Sequence, residues 1–233
     1  MKLSKGTLDI LKNFATINTN ILVREGNTLS TISTGKNIFA RAEVTEAFPK
    51  EFAIYDLNGL LPLLTLMEDT DVNFGEESLK VTKGSSVFEY FYADPNIIVS
   101  APDKSIDVDN FFQFDLTKDD IDMIMKAAAI TAAPMLSIVG DGNEVVMQVG
   151  DPSTPKSNSF KQSIGSTDKK FDARLAVENF KVIPGSYSVI LSEKKFMFLE
   201  SSKGDTKYWL ALERSSVIGG CLLYTSDAAD ESS

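Results

Sequence analysis

The sequence predicts an α+β chain made of two copies of one domain, each a helix, three strands, a short helix and three more strands. Three observations carry that reading. Two helical patterns open alike 113 residues apart: Ser4-Lys5-Gly6-Thr7-Leu8-Asp9-Ile10-Leu11-Lys12-Asn13-Phe14-Ala15-Thr16-Ile17, and Thr117-Lys118-Asp119-Asp120-Ile121-Asp122-Met123-Ile124-Met125-Lys126-Ala127-Ala128-Ala129-Ile130. Each starts with a capping hydroxyl and Lys, then places Leu or Ile and Asp at matching offsets. Short strand-like runs alternate with Gly-, Asn- and Asp-bearing turns through both halves. The repeat is too long for a solenoid unit, and 233 residues can hold two cores.

In the first helix Leu8, Ile10, Leu11, Phe14, Ala15 and Ile17 fill one half of the wheel, and Lys5, Asp9, Lys12, Asn13 and Thr16 the other. Strands are expected at 21–24, 28–33 and 38–44, with turns at Glu25-Gly26-Asn27 and Thr34-Gly35-Lys36-Asn37. After a strand at 51–55, Leu57, Leu60, Leu61 and Leu64 keep the helical period. Pro62 requires that helix to start near Asn58, which puts the proline in or near the first turn. Strands at 71–74, 78–82 and 87–92 follow, with Gly75 and Gly84 in the turns.

Residues 93–110 hold Pro95 and Pro102 and little periodicity, which predicts a linker with one strand at 97–100. In the second copy Thr117 and Asp120 form a capping-box start. Strands are expected at 135–139 and 144–149, as a hairpin across Asp141-Gly142, and at 159–164 and 171–176. A short helix over 177–182, closed by Pro184-Gly185, is the counterpart of the Leu57 helix. Strands at 187–191, 195–200 and 206–212 finish the domain. The domains are therefore read as 1–108 and 109–219.

Residues 220–233, which include Cys221-Leu222-Leu223-Tyr224-Thr225-Ser226-Asp227-Ala228-Ala229-Asp230-Glu231, look like the in-frame translation of a transposon-end sequencing adapter. We expect them to be a disordered tail and leave them out of the fold. Without Asp227, Asp230 and Glu231 the formal charge moves from -10 to -7.

Composition is that of a globular protein, with 43% apolar and 24% charged residues. No apolar run is long enough to cross a bilayer, no signal peptide is recognised, and no membrane association is expected. A net acidic chain repels nucleic acid as a whole, which argues against generic DNA coating but leaves room for a local basic face. There is no histidine, so the commonest general base and metal ligand is missing. The lone Cys221 forms no internal disulfide. The sequence has no P-loop, GxGxxG, HExxH or nucleophile elbow. Asp119, Asp120 and Asp122 are read as helix-dipole partners rather than metal ligands. No enzyme, metal or cofactor is expected.

The candidate functional residues are Lys5, Lys12, Lys118 and Lys126, which share the polar faces of the two long helices. A solvated surface is one account of them. The other is that a polarity repeated in both copies lines a channel, where lysine meets phosphates without reading bases.

Met1-Lys2-Leu3-Ser4-Lys5 and Leu11-Lys12-Asn13-Phe14-Ala15-Thr16-Ile17-Asn18 resemble the start of the sliding clamps of T-even-type bacteriophages. Ala53-Ile54-Tyr55-Asp56-Leu57-Asn58-Gly59, Ala93-Asp94-Pro95, Pro184-Gly185-Ser186-Tyr187 and Tyr208-Trp209-Leu210-Ala211-Leu212-Glu213 continue the resemblance, which spans residues 1 to about 214. The resemblance implies a DNA-clamp fold, with antiparallel sheets outside and two helices per domain inside. It implies a homotrimer, three subunits joined head to tail into a ring around double-stranded DNA without sequence preference. Such a protein tethers the phage DNA polymerase, is opened by an ATP-driven clamp loader, serves late-transcription factors, and works in the cytoplasm of the infected bacterial host. Residues 87–92 and a strand of the second domain are the expected contact edges. Asp9 and Asp122 depart from a basic lining, as do Ala128 and Ala129, where a further basic residue is expected. The alternative is a structural, β-rich oligomeric phage assembly protein. Retention on circular but not linearised DNA separates the two.

Overall fold

A computed structural model describes residues 1–67, 70–104, 106–154 and 156–219. The predicted tail at 220–233 lies outside the described residues. The first half runs α1 (Lys5–Ile17), β1 (Ile21–Val23), β2 (Gly26–Ile32), β3 (Ile38–Phe48), β4 (Phe52–Ile54), α2 (Leu57–Leu66), β5 (Val72–Phe74), β6 (Ser78–Lys83) and β7 (Ser86–Phe91). The second runs β8 (Phe112–Leu116), α3 (Lys118–Thr131), β9 (Met135–Asp141), β10 (Glu144–Gly150), β11 (Phe160–Ser166), β12 (Lys170–Ala176), β13 (Tyr187–Ser192), β14 (Phe196–Ser201) and β15 (Thr206–Ala211). Three-residue 3₁₀ turns lie at Pro95–Ile97 and Val177–Asn179.

The duplication is visible in the pairing. β1 pairs with β4 as β9 pairs with β12, and β2 with β3 as β10 with β11. β5-β6-β7 repeats as β13-β14-β15. Even the leading strand has a vestige in the first half: β8 lies along β13, and Met1 exchanges backbone hydrogen bonds with Val72 of β5. One six-stranded sheet, in the order β2-β3-β15-β14-β13-β8, joins the two halves through the β3–β15 seam. A single apolar cluster runs from Leu8 to Ile218 beneath both halves.

In α1 the residues Leu8, Leu11, Phe14, Ala15 and Ile17 are buried, as the 3.6-residue period requires. The Asp141-Gly142 hairpin forms as expected. Gly142 takes a left-handed φ of 97°, and the Asp141 carboxylate accepts the Asn143 and Glu144 amides at 2.8 Å.

Five expectations need correction. Among the described residues the second half has one α-helix, not two. Over 177–182 only a 3₁₀ turn forms, because β-branched Val177, Val182 and Ile183 and the stop at Pro184 leave a single buried anchor, Phe180. Its counterpart α2 has four buried leucines. Pro62 is the sixth residue of α2 and lies past the first turn. Its ring is exposed, and the packed leucine face compensates for the lost backbone donor. Four strands follow each long helix, in agreement with the individual runs expected there, whereas the outline of the repeat counts three. Strand β8 is not among the expected elements, because its signal is a run of only five residues with half-exposed aromatics. The linker has no strand at 97–100. It docks instead, with Ile98 and Ala101 buried and the Arg24 guanidinium donating to the Ala101 carbonyl at 3.0 Å.

Candidate nucleic-acid interface

The exposed face of α1 is set by how its start is held. Ser4 Oγ accepts the Thr7 amide at 3.2 Å. Glu46 on β3, only 9% exposed, reaches back to the same turn. Its carboxylate accepts the Ser4 amide and the Thr7 hydroxyl, and the Thr45 hydroxyl at 3.0 Å. Burial by itself raises the Glu46 pKa, but the hydrogen bonds from Thr7, Ser4 and Thr45 together outweigh it and hold the carboxyl below its ordinary value. With that turn fixed and the apolar half packed inward, Lys5, Asp9, Lys12 and Thr16 form one exposed stripe.

α3 is fixed locally. Thr117 and Asp120 form a reciprocal capping box, and the Asp120 carboxylate also lies against the Gln162 amide of β11. The Thr117 hydroxyl bond holds Asp120 below the usual carboxylate pKa, against the opposing effect of burial. Ile121, Ile124 and Ala128 are buried, so Lys118, Asp119 and Lys126 point outward.

All four predicted lysines are therefore exposed on the two long helices. The opening turns of those helices also meet. Asp9 and Ile10 of α1 and Lys118 of α3 line one cleft of about 460 Å³. The lysines are not equally available. Lys118 is paired with Asp122 by a hydrogen bond that raises the lysine pKa and lowers that of the aspartate. Lys12 lies 3.8 Å from Asp9. Lys5 and Lys126 form no ion pair among the described residues. Ala128 is only 2% exposed and packs inward, so it lies off this face, whereas Ala129 is exposed. The face thus carries four lysines against Asp9, Asp119 and Asp122, a weakly basic surface on an acidic molecule.

Two further lysines border this face. Lys181 Nζ donates to the Thr16 carbonyl at the end of α1 at 2.8 Å, and Asn13 Nδ2 donates to the Lys181 carbonyl. Lys203, in the turn between β14 and β15, lines the cleft with Asp9 and Lys118. No periodic signal in the sequence marks either one, because neither lies on a helix. Among the described residues no group of three or more His, Cys, Asp or Glu side chains could hold a metal, and no helix is long and apolar enough to cross a membrane.

A second concavity, about 590 Å³, lies under the linker between Ile106 and Val108 on one side and Arg41, Phe198 and Trp209 on the other. Arg41 Nε and Trp209 Nε1 are buried there without hydrogen-bond partners among the described residues.

Residues 2–100 match the family model of the DNA polymerase processivity factor. The sliding clamp of Vibrio phage KVP40 is 27% identical over 197 residues, covering 81% of this chain and 89% of that protein. The sliding clamp of Enterobacteria phage T4 is 27% identical over 226 residues, covering 93% and 98%. Among solved structures, the proliferating cellular nuclear antigen from Entamoeba histolytica superposes with a TM-score of 0.66 at 14% identity, over 88% of this chain and 94% of that one, and so shares the fold. The repeated architecture, the paired lysine-bearing helices and these matches together make the chain similar, over most of its length, to the sliding clamps of these bacteriophages.

Proposed function

We propose that the chain closes into a ring around duplex DNA, with the α1 and α3 faces toward the phosphates, and so tethers the phage DNA polymerase. As a sliding clamp it is a processivity factor and not an enzyme. A ring holds DNA by topology rather than by affinity. A weak, sequence-indifferent lining then keeps sliding fast, and four lysines offset by three aspartates suit that role.

The β3–β15 seam carries the reading. By the internal repeat, β3 corresponds to β11, and β15 to β7. The seam made inside the chain by β3 and β15 is therefore available a second time, between β11 of one copy and β7 of the next. Both of these strands are free sheet edges, and Val87 and Phe91 of β7 are each 65% exposed. A head-to-tail contact of this kind closes into a ring when the rotation fits, and three two-domain subunits give the pseudo-six-fold homotrimer. Sedimentation at micromolar concentration should give a trimer in exchange with monomer. Phe91→Asp should shift it to monomer, and a stable dimer would overturn the model.

The ATP-driven loader, the late-transcription factors and the host cytoplasm belong to the same proposal. Among structural neighbours, A. fulgidus PCNA is bound by the C-terminal region of FEN-1. The concavity beneath the linker, with its apolar walls and two unpartnered donors, suits a polymerase tail segment in the same way. For the lysine face, changing Lys5, Lys12, Lys118 and Lys126 together to Ala should leave thermal stability within about 0.5 kcal/mol. Processivity with the loader present should fall, and fall further at higher salt. Unchanged processivity would return these lysines to a solvated surface.

A further inference from the structure

We propose that the β14–β15 turn supplies a further DNA contact, Lys203, which engages the phosphodiester backbone beside Lys118 at the mouth of the α1–α3 cleft. The inference rests on the reading of the helix faces as the DNA surface. Lys203 and Lys118 come from segments 85 residues apart in sequence, yet line one cleft. A single residue ties both in place: the Ser202 amide donates to the Ser186 carbonyl at 2.9 Å, and the Lys118 amide donates to Ser186 Oγ at 3.3 Å.

The turn that presents Lys203 is held tightly. Gly204 adopts a left-handed φ of 74°, and its amide donates to the Ser201 carbonyl at 2.8 Å. Ser201 Oγ donates to the Asp205 carboxylate at 2.6 Å and accepts the Thr206 amide at 3.3 Å. The backbone under the lysine is thus fixed, and only the side chain must be ordered on binding.

The balance of charge singles Lys203 out. Four charged residues line the cleft: Asp9, Lys118, Lys203 and Asp205. Asp9 faces Lys12, Lys118 is paired with Asp122, and Asp205 accepts from the Ser201 and Thr206 hydroxyls. Lys203 is exposed and forms no ion pair among the described residues. A phosphate at the cleft mouth meets its ammonium without first displacing a carboxylate. Such a contact adds counterion release and no base preference.

The test is the salt dependence of binding of the full chain to a short fluorescent duplex, read by anisotropy. Lys203→Ala should weaken binding several-fold at low salt and flatten the slope of log K against log salt by about 1. Lys203→Arg should keep the wild-type slope. Lys156→Ala, an exposed lysine in the 151–159 loop, should also leave it unchanged. A wild-type slope for Lys203→Ala, where the Lys5, Lys12, Lys118 and Lys126 quadruple variant flattens it, overturns the Lys203 contact and leaves the helix face standing. A wild-type slope for both overturns the face and the inference together.

Discussion

In the first half the start of α1 is held by Glu46, a carboxylate 42 residues away on β3, whereas in the second the start of α3 is held by Asp120, three residues along from its own cap. Both arrangements give the opening turn an acidic acceptor for its free amides, which suits the positive end of a helix. The routes differ in reach. The Asp120 box belongs to the helix and forms with it. The Glu46 contact exists only when β3 has docked, so it couples the orientation of α1 to the sheet that carries the β3–β15 seam. The same contrast recurs at the second helical position, where α2 buries four leucines and its counterpart keeps only Phe180. Duplicated positions have kept their place in the fold while changing the contacts that hold them.

The largest test of this contrast asks whether the halves stand or fall together. Phe14→Ala in α1 should cost about 3–5 kcal/mol and Ile124→Ala in α3 about 2–5 kcal/mol, as both side chains are fully buried. Because one sheet crosses the halves, each variant should shift one cooperative urea transition. Two transitions, with only one displaced, would mean that the seam does not couple them.

A smaller effect separates the two helix starts. Glu46→Ala removes a buried acceptor from the Ser4 amide and the Thr7 hydroxyl and should cost about 1–3 kcal/mol. The sign of its pH dependence follows from the depressed carboxyl pKa. The contribution is present above the unfolded glutamate pKa of about 4.3 and is lost as pH falls through the lower folded value. Wild type should therefore lose part of its advantage over Glu46→Gln below about pH 4. Denaturation of both proteins from about pH 3 to neutral pH reads this, and a constant difference across that range would sink it.

Smallest is the local cap. Thr117→Ala should cost about 1 kcal/mol. It should leave α1 untouched, and amide exchange resolved by residue should show extra opening only in the first turn of α3. Faster exchange at Ser4 to Leu8 would show that the two starts are linked through their shared cleft.

What the sequence disclosed follows the same division between near and far. The α1 period, the leucines of α2, the Thr117–Asp120 box and the Asp141-Gly142 turn are contacts within a few residues, and their spacing states them. The four exposed lysines are legible for that reason, since a buried helix face determines its opposite. The Glu46 anchor is not, because an alternating strand shows which residues face inward and not what they meet. The β3–β15 seam pairs segments more than 160 residues apart, beyond any local signal. Lys181 and Lys203 sit outside regular helices, where no period marks a face. The missing second helix of the second half shows the converse error: apolar spacing over 177–182 suggests a helix that β-branched residues and Pro184 cut short.

Trp209 is the only tryptophan in the sequence. It lies on β15 at the seam, with ring centroids 4.9 Å from Phe39 and 5.0 Å from Phe198, and forms part of the wall beneath the linker. The chain therefore contains its own spectroscopic probe. With a largely dry ring and an unpartnered indole N–H, its emission should be blue-shifted in the free protein. It should respond when an acceptor enters the concavity or the linker lifts, so binding beneath the linker can be followed without attaching a dye.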